Sequence, residues 1–121
     1  MTKAAVIVLA DTETHGDLAR VVNAMMTAKE FAEAGDDVEL MLMAPEPSGS
    51  ACLPDPGHKS HRLFQQVHDV ISGACAYCSR AFAAEAGVRR ADVSFLGEYK
   101  GHPSVRRLVG RRTRGPHLLT P

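Results

Sequence analysis

The chain contains no tryptophan, two tyrosines and four phenylalanines, and its net charge is zero. Surfaces that grip single-stranded nucleic acid stack bases on aromatic rings set among cations. With 5% aromatic residues and no reading motif, no nucleic-acid partner is expected. No apolar run approaches the roughly 20 residues that span a bilayer, so no membrane partner is expected either. Three cysteines in 121 residues are too few, and odd in number, for a secreted disulfide scaffold; reduced thiols that pack or react fit better. G-x-G-x-x-G, the Walker loop and the G-x-S-x-G elbow are all missing. Nucleotide binding and serine hydrolysis therefore have no motif to rest on, and no cofactor is implied.

What is present reads as one α/β domain over residues 1–121, a length that suits a single core. Residues 3–10 form a nearly continuous apolar run. The acidic Asp11-Thr12-Glu13 follows at once, without a small-residue cleavage site, so the run predicts a strand covered on both faces rather than a secretory leader. A cytoplasmic location is expected. Thr14 and Asp17 have the spacing of a helix-capping pair. Leu18, Val21, Val22, Met25, Ala28 and Ala32 recur on one helical face over about residues 16–34, and Gly35 ends the helix. Residues 38–43 predict a second strand, completing a βαβ unit with a right-handed crossover.

Residues 44–58 hold Pro45, Pro47, Pro54 and Pro56 with Gly49 and Gly57, the composition of a loop long enough to act as a lid or binding segment. Leu63, Phe64, Val67 and Val70 predict a second helix, residues 70–75 a third strand and residues 79–86 a third helix. Val93-Ser94-Phe95-Leu96 is a fourth strand. His102-Pro103-Ser104 opens a last helix with Val105, Leu108 and Val109 inward, and His117-Leu118-Leu119 closes the sheet as a fifth, short strand. The charge is unevenly spread. Residues 1–60 carry four Lys/Arg against ten Asp/Glu, net −6, and residues 61–121 carry ten against four, net +6. Such halves suit a solvated surface or an interface between copies.

The chemistry centres on Cys75-Ala76-Tyr77-Cys78, at the junction of the third strand and third helix. In open α/β sheets, binding gathers at the carboxyl ends of the strands, and a helix start stabilises a thiolate. Four readings remain open. Both cysteines pack in the core. They form a redox dithiol. They bind zinc together with His58 and His61, although the spacing is not that of a standard finger. Or one of them is a nucleophile that carries sulfur as a persulfide, with Gly73, Ala74, Ala76 and Ser79 as small neighbours that admit a partner. His15, Glu98 and His102 lie in loops facing the same sheet edge and are candidate neighbours. Cys52 in the proline-rich loop is a candidate resolving thiol.

Several strings resemble the DsrE/DsrF-like sulfur-relay family over most of the chain. They are Val6-Ile7-Val8-Leu9-Ala10-Asp11-Thr12-Glu13-Thr14, Arg20-Val21-Val22-Asn23-Ala24, Ala28-Lys29-Glu30-Phe31, Glu33-Ala34-Gly35-Asp36, Ala74-Cys75-Ala76-Tyr77-Cys78 with Ala81-Phe82, Leu96-Gly97-Glu98-Tyr99 and Gly101-His102-Pro103-Ser104-Val105-Arg106. The resemblance implies a flavodoxin-like (Rossmann-like) domain with a mostly parallel five-stranded sheet and helices on both faces. It also implies a homo-oligomer, protein sulfur donors and acceptors, and a cysteine that carries persulfide sulfur at the end of the third strand. Cys75 matches that cysteine by its place on the strand, and Cys78 by its distance to Gly87; Cys78 ranks marginally ahead. The proline-rich segment after the second strand and the basic Gly110-Arg111-Arg112-Thr113-Arg114-Gly115-Pro116 depart from the family pattern.

Overall fold

Alternating apolar strands and amphipathic helices assemble here into a parallel sheet of four strands in the order β1-β2-β3-β4. The computed structural model describes residues 2–10, 14–43 and 53–113. Its strands are β1 (Lys3–Val8), β2 (Asp37–Leu42), β3 (Ile71–Cys75) and β4 (Phe95–Leu96). Its α-helices are α1 (His15–Glu33), α2 (His61–Val67), α3 (Ala76–Ala81), α4 (Glu85–Arg90) and α5 (Val105–Thr113), with a 3-10 turn over His68–Val70. The expected fifth strand at His117-Leu118-Leu119 lies outside the described residues.

The ends of α1 are set by local chemistry. Thr14 adopts extended backbone, and its hydroxyl accepts the Asp17 N–H at 3.0 Å, which satisfies one of the unpaired donors of the first turn. At the other end Gly35 has φ +81, and the Asp36 N–H reaches back to Phe31 O at 3.0 Å, closing the helix. Between them Val21, Met25 and Ala28 share one face and are buried, against a core that includes Leu40, Phe64, Val67 and Ala74. Burying each large side chain of this kind contributes about 1.5–3 kcal/mol.

Three expectations change. The first strand is not covered throughout: β1 pairs with β2 alone among the described residues, and only its Val8 is buried. Among the described residues β1 lies at the edge of the sheet, and α5 leaves a groove against it rather than covering it. The single helix expected over residues 79–86 is two short ones. Ala83 takes φ 56 and the Ala84 N–H bonds Ser79 O at 2.7 Å, a left-handed closure that ends α3 without a glycine. In α5 only Leu108 of the three expected inward residues is buried; Val105 and Val109 are exposed and, with Phe31, border a groove against Ala4–Ile7 of β1.

All four strands run the same way, so the loops that follow them emerge at one edge of the sheet. Because β3 and β4 are neighbours, with Cys75 paired in register to Leu96, the start of α3 and the loop after β4 are brought side by side.

Candidate functional site

Cys75 is the last residue of β3 and also caps α3: the Cys78 N–H donates to its sulfur at 3.4 Å. Its side chain is fully buried, whereas Cys78, one helical turn on, is only partly so. Beneath the pair, the buried Ser79 hydroxyl donates to Cys75 O at 2.7 Å and holds the strand end against the first turn of α3.

The third member comes from the loop after β4. Tyr99 and His102 exchange backbone hydrogen bonds of 2.8 and 2.9 Å around a tight turn in which Lys100 and Gly101 have φ 52 and 87. Positive φ at both central positions is the geometry for which glycine is suited. This turn is tied to α3 through the Tyr77 N–H, which donates to Gly101 O at 2.9 Å. The Tyr77 ring lies against the His102 imidazole with 4.7 Å between centroids. His102 Nδ1 thereby comes within 3.4 Å of Cys75 Sγ. The two sulfurs and the imidazole nitrogen all lie within 4.8 Å of one another.

Burial pushes the Cys78 thiol up from its ordinary value, and its hydrogen bond to Cys75 and charge on Cys75 push it the same way. Two thiolates so close repel one another, and partial removal from water disfavours the charged form. A redox dithiol is attacked through its accessible sulfur. Here that sulfur is Cys78, with Cys75 behind it.

Of the loop residues read from the sequence as neighbours, His102 alone belongs to this cluster. His15 is the exposed first residue of α1. Glu98 is engaged by Arg107, whose Nε lies 3.4 Å from Glu98 Oε2 and whose Nη2 bonds Glu39 Oε1 at 3.2 Å. Neither histidine of the expected zinc set joins the cysteines: His58 Nδ1 accepts the Ser60 N–H at 3.1 Å, and His61 Nδ1 lies 2.7 Å from Leu53 O. Cys52 falls outside the described residues. Tyr77, Ser79 and Gly101 position the site, a part the sequence did not disclose; the only signal that could have marked the loop is Gly101, a glycine suited to the positive φ the turn requires. No match was found to a protein family, to a curated protein or to a solved structure.

Proposed function

We propose that this chain is a sulfur carrier of the DsrE/DsrF-like kind, taking sulfane sulfur onto Cys78 with Cys75 and His102 behind it. The observation that supports this reading most is the meeting of two free thiols and an imidazole at the carboxyl edge of a parallel sheet, one sulfur partly open to solvent. The Cys78 sulfur attacks the outer sulfur of a donor persulfide. The donor's S–S bond breaks, its electron pair leaves on the donor thiolate, and a new S–S bond forms on Cys78. The sulfane sulfur moves without net oxidation. Charge on Cys78 is disfavoured, so its proton departs as the bond forms; the nearby imidazole receives it and returns it to the leaving thiolate. Self-association and a protein acceptor belong to the same reading.

The test is intact-mass analysis of metal-free, reduced protein after incubation with a low-molecular-weight persulfide. One added sulfur atom per chain, lost in the Cys78→Ser variant, is the expected result. Absence of the adduct, with both cysteines needed only for thermal stability, replaces this reading with a non-catalytic module whose cysteines pack, a role that the complete burial of Cys75 suits.

A further inference from the structure

We infer that Cys75, Cys78 and His102 form a zinc(II) site, with the fourth coordination position open on the Cys78 side. Each contributes one donor, and the three donor atoms lie within 4.8 Å of one another. Tetrahedral zinc with Zn–S of about 2.3 Å and Zn–N of about 2.05 Å places S and N about 3.6 Å apart and two sulfurs about 3.8 Å apart. The Cys75–His102 pair, at 3.4 Å, already stands near that separation. The Cys78 sulfur lies within 4.8 Å of the other two donors, so a shift of at most about 1 Å brings it to the tetrahedral separation.

The donor set selects the metal class. Two thiolates and an imidazole suit zinc and other thiophilic ions; magnesium and calcium demand oxygen donors. Charge balances as well. Two thiolates cancel the ion's double positive charge. The ligands are held in advance: Cys75 by the strand end and the Ser79 hydrogen bond, His102 by its turn and the Tyr77 ring. Three protein ligands leave one position for water or an outside ligand, as in catalytic rather than structural zinc sites. The exposed Tyr77 and partly exposed Cys78 leave that side reachable.

This assignment does not rest on sulfur transfer; metal and sulfane sulfur compete for Cys78. The experiment titrates the full chain, reduced and freed of metal by chelation, with cobalt(II) under anaerobic conditions, then with zinc. One equivalent of cobalt should give thiolate-to-metal charge-transfer absorption and the intense visible bands of tetrahedral coordination, and zinc should displace it. Cys78→Ser and His102→Ala change partly exposed positions. Each should weaken binding at least about tenfold while the far-ultraviolet dichroism stays that of the parent. A His58→Ala/His61→Ala double variant should bind as the parent does. The inference is overturned if no thiolate–cobalt absorption appears, or if His102→Ala binds normally while the double variant does not. Sulfur loading is measured with chelator present, so either reading can fail without the other.

Discussion

The Cys75 sulfur and the His102 imidazole, 27 positions apart in the chain, stand 3.4 Å apart in space. Neither element carries the pair alone. The end of β3 supplies a fully buried sulfur, and the turn after β4 supplies a ring clamped by Tyr77. Cys78, on the first turn of α3, completes the group and is its accessible member.

That difference in access sets the order in which the thiols react. In a Cys52→Ser background, a small alkylating reagent should modify one thiol per folded chain, at Cys78. The second should react only as fast as the protein opens, since a fully buried thiol is reached through local or global unfolding. Mass analysis of peptides along the time course reads this directly. Rapid labelling of Cys75 in the native state would contradict the burial on which the assignment of roles depends.

The pH dependence follows from the raised Cys78 thiol. In metal-free protein its alkylation should reach half its limiting rate above the ordinary thiol value of about 8.5. Replacing Cys75 by Ser removes the neighbouring sulfur that contributes to the shift, so the midpoint should fall part of the way back, the burial component remaining. The sign for stability is the opposite of a paired carboxylate's. Folding favours the protonated thiol, so the contribution is present below the unfolded value and is lost as pH rises through the folded one. Melting curves taken from neutral to alkaline pH should show Cys78→Ser losing less stability over that window than the parent.

The parts of this site that the sequence discloses are those fixed by neighbours in the chain. Thr14 with Asp17, and Gly35, mark the ends of α1 because caps are local hydrogen bonds. Val21, Met25 and Ala28 mark its buried face because periodicity is local too. The position of Cys75 at a strand end was legible for the same reason. The choice of histidine was not. His58 and His61 lie nearer to Cys75 in sequence, yet His102 is the one delivered, because β3 and β4 are neighbours in the sheet and the turn at Lys100-Gly101 folds back over α3. Pairing of strands is a non-local fact that no spacing encodes. Ala83 shows the complementary failure: an alanine in left-handed conformation ends α3 where composition favours a continuing helix.

Gly73 is where the sheet itself approaches too closely for a side chain. A Cβ there would lie 2.5 Å from Leu96 Cγ and 2.8 Å from the Ser94 carbonyl oxygen. Leu96 can turn aside, but the backbone oxygen accepts the Ala74 N–H at 2.8 Å and cannot move without parting β3 from β4. Gly73→Ala should therefore destabilise by about 1–3 kcal/mol, the usual cost of overpacking, seen as a lower denaturant midpoint. It should also shift the loop bearing His102 and weaken cobalt binding. A variant as stable as the parent would show that the two strands separate more easily than this contact implies.

Arg107 links the His102 loop to the rest of the fold. From α5 its Nη2 bonds Glu39 Oε1 on β2 at 3.2 Å, while its Nε lies 3.4 Å from Glu98 Oε2 in the loop after β4. One guanidinium thus hydrogen-bonds Glu39 and stands in ion-pair range of Glu98, its buried Nε making no hydrogen bond there, and an ammonium group cannot reach both carboxylates with the same planar geometry. The Glu39 side chain is 17% exposed and that of Arg107 36%, so water screens the arrangement in part, and the loss in Arg107→Ala should be about 1 kcal/mol. Arg107→Lys should fall between the two, and added salt should narrow all the differences. Because Glu98 lies four residues before His102, the alanine variant should also show faster hydrogen exchange at the Tyr99 and His102 amides, whose hydrogen bonds close the turn. Thermal melts at low and high salt, with exchange read at those two amides, decide the matter. Unchanged exchange with lowered stability would make Arg107 a clasp between α5 and β2 alone, with no part in holding the imidazole to the sulfur.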